Sequence, residues 1–368
     1  MISDTFLEKS ALQVNDGVEQ PPIINPNAVS RFKKFQQKLP SADEFVEGIL
    51  SENITMLSKA ITLVESSLLQ HYALGQEVIE RCLPYSGNSI RIGITGVPGA
   101  GKSTFIETFG KMLTTQGYKL AVLAIDPSSE RSKGSILGDK TRMETLCADK
   151  NAFIRPSPSA GSLGGVARKT RESLILCEAA GFDVIFIETV GVGQSETAVH
   201  SMVDFFLLLL ISGAGDELQG IKRGIMEMAD LLAVTKADGE NIMKAEQARI
   251  LYQGAMRFLP PSESGWQPKT MTCSSRTNTG LTEIWDIING YMKFTKANGY
   301  FKTNRLRQAK YWMYETINIY LRDNFYQNPV IKEKLTEFEN AVLSDTLSSF
   351  TAAKQLFDIY SELEKVKK

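Results

Sequence analysis

The sequence has little of what many metal and catalytic sites require, since its 368 residues include only two histidines, His71 and His200. Their wide separation argues against a histidine-based metal site and against a catalytic triad that contains histidine. The four cysteines are also scattered and form no C-x-x-C pair, which excludes a disulfide scaffold and a zinc ribbon and suits a reducing compartment. They are Cys82, Cys147, Cys177 and Cys273. Any chemistry is therefore expected to depend on backbone amides, lysine, carboxylates and hydroxyls.

An excess of charge of one sign and long apolar runs are missing as well. The chain has 41 Lys and Arg against 42 Asp and Glu, a formal net charge of -1, which argues against broad electrostatic binding of nucleic acid or of an anionic membrane. The longest apolar run, Phe205–Ile211, has the length of a buried strand and is far too short to span a bilayer. Because residues 1–40 contain neither an apolar core of a signal peptide nor an Arg-rich, acid-poor composition, we expect a cytoplasmic protein.

The apolar pattern divides the chain into four parts. Residues 1–40 are polar and predict a flexible lead, residues 41–88 and 298–368 predict helical extensions, and residues 89–297 alternate short apolar runs with helical patterns. Such alternation predicts an α/β fold with a doubly wound, mostly parallel sheet, whose ligands bind beyond the carboxyl ends of the strands. The predicted strands are Ile90–Thr95, Leu120–Ile125, Val184–Glu188, Phe205–Ile211, Leu231–Thr235 and Thr270–Cys273.

A phosphate-binding loop follows the first predicted strand. The segment from Gly96 to Ser103 fits the pattern G-x-x-x-x-G-K-[ST] between a strand and a helix, as a P-loop does. Glycines allow successive N–H groups to point at phosphate oxygens, and the start of the helix adds its positive end. A Gly-rich turn without a ligand is the alternative. The residues predicted to contact nucleotide phosphates are Gly96, Pro98, Gly99, Ala100, Gly101, Lys102, Ser103 and Thr104.

Acidic residues follow two other predicted strands and suggest a magnesium site. Asp126 comes after the second strand, Asp139 lies further along the same loop, and Glu188 ends the strand Val184–Glu188. With the Ser103 hydroxyl, these carboxylates are suitable Mg²⁺ ligands or can orient an attacking water. Gly191 could donate its N–H to a γ-phosphate and move away after cleavage. Turn or helix-capping roles remain the alternatives for these residues.

A base-binding loop is predicted after the strand Leu231–Thr235. Thr235 and Lys236 precede Asp238, whose carboxylate could accept the N1 and N2 protons of guanine, a donor pair that adenine lacks. The aliphatic part of Lys236 could cover one face of the base. Ser274 and Ser275, after the last predicted strand, could offer a backbone N–H to the guanine oxygen, or could simply end that strand.

A third loop of interest, residues 212–223, leaves the predicted strand Phe205–Ile211. It combines glycines with acidic, amide and basic side chains, a composition that suits a moving element. Lys222 could add positive charge to a transition state or to a partner surface, or could be a solvated helix residue. With Lys102, Asp126 and Glu188, it completes the predicted catalytic set.

Together these segments resemble the MeaB/MMAA family, also named ArgK, of SIMIBI-class P-loop GTPases. The resemblance covers about Phe45 to Ala297 closely and the C-terminal helices by arrangement only. It implies Mg²⁺-dependent conversion of GTP to GDP and phosphate in a chaperone of adenosylcobalamin-dependent methylmalonyl-CoA mutase. It also implies a homodimer built partly through the C-terminal helices. The strings that carry it are GVPGAGKST, DPSS with GSILGDKTRM, ETVGVGQSE, SGAGDELQGIKRG and TKAD.

The resemblance also assigns roles to single residues and marks three departures. It implies that Lys222 belongs to a third switch that couples hydrolysis to the partner, and that the cobalamin cofactor is handled through the mutase. The family usually has Asn where Thr235 stands, and that Asn ties the base loop to the P-loop. It commonly has Thr-Gly at Ser132-Lys133 in the first switch and Ala at Ser275.

Two other functions stay open from the sequence alone. A P-loop kinase, as in the older LAO/AO transport-kinase name of the family, would pass the γ-phosphate to an acceptor, but a guanine-reading Asp238 argues against an ATP-dependent enzyme. A non-catalytic nucleotide-dependent scaffold is disfavoured by the acidic set. Which acyl-CoA mutase is served is also open among methylmalonyl-, isobutyryl- and ethylmalonyl-CoA mutases.

Overall fold

The computed structural model describes residues 39–66, 68–125, 143–156, 163–189, 195–213 and 223–366. From Ala42 onwards the described residues form one compact unit. The predicted lead, residues 1–40, lies outside the described residues except at its end. The division of the larger unit into an N-terminal extension, a nucleotide domain and a C-terminal arm stays a prediction.

A single parallel sheet forms the centre of the described structure, with the strand order β3-β2-β4-β1-β5-β6-β7. Every pair of neighbouring strands is parallel, which confirms the doubly wound α/β prediction. The carboxyl ends of the strands therefore share one edge, where ligands of such sheets bind. The strands are β1 (Ile90–Gly96), β2 (Leu120–Ile125), β3 (Ala152–Arg155), β4 (Val184–Thr189), β5 (Phe205–Leu210), β6 (Leu231–Val234) and β7 (Lys269–Thr272).

Strand β3 is the one strand of the described sheet that the sequence analysis did not predict. It is only four residues long, lies at the edge of the sheet, and buries Phe153 alone among its side chains. Its apolar run, Ala152 to Ile154, has only three residues, which is too short for hydrophobic periodicity to identify a strand.

Helices cover both faces of the sheet, and further helices precede and follow the strands along the chain. The predicted C-terminal helical extension contains two helices from Pro329 onwards. The Asn328 side chain caps the first of them by accepting from the N–H groups of Val330 and Ile331. No helix among the described residues is long and apolar enough to cross a membrane. The helices are α1 (Ala42–Leu50), α2 (Ile54–Glu65), α3 (Leu69–Cys82), α4 (Lys102–Thr115), α5 (Glu144–Cys147), α6 (Leu163–Ala179), α7 (Ser195–His200), α8 (Arg223–Met228), α9 (Ile242–Met256), α10 (Leu281–Ala297), α11 (Tyr300–Gln327), α12 (Pro329–Leu343) and α13 (Ser349–Val366).

The apolar core lies in two layers, one on each face of the sheet. Alternate residues of β4 show the division, because Phe186 belongs to the layer under α4 and α10 whereas Ile185 and Ile187 belong to the layer under the N-terminal helices and α6. Phe186 stacks on Phe109 of α4 with ring centroids 5.5 Å apart, and Trp285 of α10 meets Phe109 edge-on at 6.3 Å. Burial on both faces fixes the sheet, and with it the positions of the loops at its carboxyl edge.

A buried carboxyl before β6 leads to a prediction about pH. Asp230 accepts the N–H of Phe206 at 2.9 Å, and burial raises the pKa of Asp230 from its ordinary value of 3.8 to about 8. Between these two values the folded chain holds a proton that the unfolded chain releases, so stability falls as pH rises from about 4 to 8. We expect Asp230→Asn, which keeps the acceptor and cannot ionise, to raise Tm by about 2–4 °C at pH 8 and less at pH 5.

Thermal unfolding across pH 5–8 tests this, with the exposed Asp286→Asn as the control that should show no pH-dependent gain. An Asp230→Asn variant whose Tm difference from the parent is the same at both pH values would contradict it.

Candidate functional site

The P-loop connects β1 to α4, as predicted, and its shape depends on glycine. Gly99 and Gly101 have φ angles of 82° and 80°, in the left-handed region that other residues avoid. At Gly96 the constraint is contact with the neighbouring strand, because a Cβ there would lie 2.3 Å from the carbonyl oxygen of Leu209 in β5. The loop is therefore seated directly on the sheet and opens toward its carboxyl edge.

Lys102, the first residue of α4, is held inside this loop. Its Nζ donates to the carbonyl oxygen of Gly96 at 2.8 Å. The side chain is half-buried, and desolvation lowers the pKa of Lys102, while the charges of Glu188 and Glu196 act in the opposite direction. The ammonium is thus placed among the backbone groups that would surround a phosphate.

Two of the predicted magnesium ligands lie next to each other. The Ser103 hydroxyl donates to Oε1 of Glu188 at 3.3 Å. The strand register explains the contact, since Glu188 of β4 pairs with Ile94 of β1 just before the P-loop. A hydroxyl and a carboxylate beside a phosphate loop are the oxygen ligands that Mg²⁺ takes together with phosphate and water, so the residues present fit this ion.

Four of the predicted site residues lie outside the described residues: Asp126, Asp139, Gly191 and Lys222. The same holds for Ser132-Lys133, one of the departures from the family pattern. Their predicted roles in magnesium binding, switching and catalysis stay predictions.

Two features behind the P-loop were not predicted as parts of the site. Glu196 is buried in the first turn of α7 and acts electrostatically on Lys102. The hydroxyl of Thr189, at the end of β4, donates to that of Thr95, at the end of β1, over 2.7 Å within the core. The string ETVGVGQSE contains both Glu196 and Thr189 and was the available signal, but spacing alone does not show which side chains point inward.

The predicted base loop follows β6 and carries Asp238. The Ser274 hydroxyl, after β7, donates to Oδ2 of Asp238 at 2.6 Å, which holds the carboxylate in place. Lys236 has a φ of 57°, an unusual conformation for a residue with a side chain. Its Cε lies 4.0 Å from the position of a Cβ on Gly101. The base loop and the P-loop are therefore close neighbours.

Both the backbone and the side chain of Ser274 make hydrogen bonds. Its backbone N–H donates to the carbonyl oxygen of Thr279 at 2.9 Å, whereas a backbone donor to guanine was predicted at Ser274 or Ser275. Its hydroxyl also accepts the N–H groups of Arg276 and Thr277. The Ser274 N–H is therefore already occupied and its hydroxyl positions Asp238, whereas a guanine-oxygen contact of Ser275 stays a prediction.

Asn241 fixes the same loop and was not predicted. Its Nδ2 donates to the carbonyl oxygen of Lys236 at 2.7 Å, and its Oδ1 accepts the hydroxyl of Ser212, after β5, at 2.8 Å. One amide thus joins the ends of β5 and β6. Because an Asn at the start of a helix is more often a cap, this contact could not be predicted from the sequence pattern.

Thr235 connects the base loop to the P-loop, which is the role that the resemblance implies for an Asn at this position. Its hydroxyl lies 2.8 Å from the carbonyl oxygen of Ala100 and 2.9 Å from that of Leu210. A hydroxyl has a single proton, so it can donate to only one of these oxygens at a time.

The contact of Thr235 can be tested by two substitutions of similar size. We expect Thr235→Val to weaken GTP binding about three- to tenfold, because a buried hydrogen bond contributes about 0.5–1.5 kcal/mol and here it joins two nucleotide loops. Thr235→Ser keeps the hydroxyl and should bind GTP nearly as the parent does. Titration with a fluorescent guanine nucleotide measures both, and equal affinity of the Val and Ser variants would contradict the prediction.

Comparisons with known proteins are consistent with this geometry. Residues 57–330 match the model of a family described as methylmalonyl Co-A mutase-associated GTPase MeaB. The chain is 49% identical over 314 residues to a putative GTPase of Caulobacter vibrioides, covering 85% of this chain and 96% of that protein. It is 46% identical over 328 residues to the mitochondrial methylmalonic aciduria type A homolog of Mus musculus, covering 86% and 79%.

A solved structure shows the same fold. The crystal structure of a LAO/AO transport system kinase superposes with a TM-score of 0.69 at 37% identity, and the match covers 88% of this chain and all of that chain. The P-loop and the base loop fall within residues 57–330, the part of the chain that the family model matches.

Proposed function

The chain belongs to the MeaB family of methylmalonyl Co-A mutase-associated GTPases, and we propose that it is a Mg²⁺-dependent GTPase switch for an adenosylcobalamin-dependent acyl-CoA mutase. The observation that supports this best is that two groups of polar side chains lie at one edge of the sheet. Ser103 contacts Glu188 beside the P-loop, as a phosphate and magnesium subsite would require, and Ser274 holds Asp238, which would form a guanine subsite. The Thr235 hydroxyl joins the two.

The chemistry follows from the groups that surround the phosphates. Phosphoryl transfer depends mostly on positioning and on stabilising the negative charge of the transition state. The P-loop N–H groups and Lys102 would supply that stabilisation, with Asp126, Glu188 and Lys222 as further proposed catalytic residues. Mg²⁺, when bound by Ser103 and Glu188 with the proposed Asp126 and Asp139, would neutralise phosphate charge. We expect slow turnover by the chain alone, raised by the partner.

The proposed partner is methylmalonyl-CoA mutase, supported by the family and by the Mus musculus relative. Adenosylcobalamin would then be handled through the mutase, with this chain supplying nucleotide-dependent movement. The C-terminal helices support the proposed homodimer, since they expose large apolar side chains such as Leu306, Leu321 and Phe350, at 63%, 64% and 86% exposure. We also retain the prediction of a cytoplasmic location.

Capture of the mutase under defined nucleotides tests the proposed role. The immobilised chain is loaded with a non-hydrolysable GTP analogue or with GDP and exposed to purified methylmalonyl-CoA mutase. We expect the amount of mutase retained to depend on the nucleotide, and Asp238→Asn, which should not load guanine nucleotides, to remove the dependence. Equal retention in both states would count against a switch.

Nucleotide choice separates this role from the kinase alternative. The LAO/AO transport system kinase shares the fold, but a carboxylate held by Ser274 suits guanine, which has the N1 and N2 donors. Competition between GTP and ATP for the site should favour GTP strongly. A preference for ATP would support the kinase instead.

A further inference from the structure

One face of α11 is docked on the connection between α7 and β5, residues 201–204. The indole Nε1 of Trp312 donates to the carbonyl oxygen of Ser201 at 3.1 Å, and the Nε2 of Gln308 donates to that of Val203 at 2.7 Å. Positions four apart on a helix share one face, so the two bonds form a short ladder along α11. Both donor side chains belong to buried residues.

Arg305, one turn earlier on the same face, makes the strongest of these contacts. Its Nε and one terminal nitrogen donate to the two carboxylate oxygens of Asp204 at 2.8 and 2.7 Å, a bidentate pair. The guanidinium also donates to the carbonyl oxygens of Gly87 at 2.5 Å and Ser89 at 2.7 Å and lies over the ring of Phe301. The Arg305 and Asp204 side chains are only 14% and 2% exposed, so solvent screens this pair little.

The connection on which α11 is docked, residues 201–204, is itself hydrogen-bonded to β1, the strand that leads into the P-loop. Oδ2 of Asp204 accepts the N–H of Arg91 at 2.9 Å, and the N–H of Asp204 donates to the Arg91 carbonyl at 2.8 Å. In the middle of β1, a Cβ on Gly93 would lie 2.9 Å from Val199 of α7 and 3.1 Å from Val203. Only glycine leaves room for this close packing, so α7 and the connection rest directly on β1.

The other end of α7 reaches the phosphate subsite. Glu196, in its first turn, is buried and acts electrostatically on Lys102. The side chains of α7 also share the core layer with Ile187 of β4, next to the proposed magnesium ligand Glu188. A short helix thus places a buried carboxylate near Lys102 at one end and, through residues 201–204, meets the C-terminal helices at the other.

We propose that Arg305, Gln308 and Trp312 couple the C-terminal helices to the nucleotide site, so that α11 is docked more firmly on residues 201–204 with one guanine nucleotide than with the other. This inference rests on the proposed GTPase switch. It identifies the residues through which the bound nucleotide would affect the C-terminal helices. Coupling free energies are reciprocal. If the nucleotide changes the docking of α11, loosening the docking changes the ratio of the GTP and GDP affinities.

The affinity ratio distinguishes coupling from a merely structural role. Arg305→Gln removes the bidentate pair. Trp312→Phe removes a single N–H donor and keeps an aromatic ring, so it is the variant to use if Arg305→Gln does not fold. Arg307→Gln is the matched control, because Arg307 lies on the same helix but pairs with the exposed Glu263. Calorimetry with GDP and with a non-hydrolysable GTP analogue gives the ratio for each full-length variant.

We expect the ratio to change about fivefold or more in Arg305→Gln, the lower range of measured couplings, and to change in the same direction in Trp312→Phe. Arg307→Gln should keep the parent ratio. In the parent, hydrogen exchange of α11 amides near residues 305–312 should differ between the two nucleotides, and this difference should shrink in Arg305→Gln.

An unchanged ratio in both docking variants, even with a lower Tm, would overturn the coupling and leave the proposed function intact. A parent chain that binds neither guanine nucleotide would overturn the proposed function, and the coupling with it.

Discussion

Replacing Lys102 by alanine is expected to lower kcat/KM for GTP hydrolysis about 10²–10³-fold, the range seen when one group that stabilises transition-state charge is removed. Lys102 is the first residue of the helix after the P-loop, and its Nζ already contacts the Gly96 carbonyl oxygen at 2.8 Å. Burial lowers the pKa of Lys102, which means that keeping this side chain charged lowers the stability of the folded state. We therefore expect the Lys102→Ala variant to be at least as stable as the parent.

The measurement is phosphate release under single-turnover conditions, together with Tm. Lys111→Ala is the matched control, since Lys111 lies on the same helix but pairs with Asp149 at the surface. It should hydrolyse GTP at the parent rate. Hydrolysis by Lys102→Ala within a factor of about three of the parent would show that this lysine does not stabilise the reaction, whereas a low Tm would show a structural role.

Changing Asp238 to asparagine is expected to weaken GTP binding about 100-fold or more. The carboxylate would accept two protons of guanine, and hydrogen bonds to charged groups contribute about 1.5–3 kcal/mol each. Asparagine presents one acceptor and one donor, which matches xanthine, where a carbonyl oxygen replaces the amino group of guanine. The variant should therefore gain affinity for xanthosine triphosphate, while Ser274 can still donate to the Asn oxygen.

Competition binding with GTP, ATP and xanthosine triphosphate tests this. Glu240→Gln removes an exposed carboxylate from the same loop and should leave the preference for GTP unchanged. If Asp238→Asn binds GTP as the parent does, the base is read by other residues and the guanine subsite is misplaced.

Contacts between loops of the candidate site could be predicted because the carboxyl ends of parallel strands lie at the same edge of the sheet. The Ser103–Glu188 contact follows once a P-loop and an acidic strand end are recognised, since β1 and β4 are neighbours. The role of Ser274 could not be predicted in the same way. Whether a serine after a strand contributes its N–H or its hydroxyl depends on the local turn, here the bridge between Ser274 and Thr279.

The docking of α11 shows what apolar periodicity leaves out. An apolar pattern does mark this helix, but Leu306, Met313 and Leu321 are exposed on it. The docked face instead carries Arg305 and Gln308, whose partners lie far away in the sequence. Patterns of hydrophobicity do not register a charged side chain that is buried by pairing, so contacts of this kind become visible only in the structure.

The most direct test of the central claim is the rate of phosphate release from GTP, measured with the chain alone and with purified methylmalonyl-CoA mutase. A GTPase switch that serves this partner should hydrolyse GTP slowly by itself and faster when the mutase is added, and Lys102→Ala should remove the increase. Rapid hydrolysis by the chain alone, unchanged by the mutase, would contradict the proposed function.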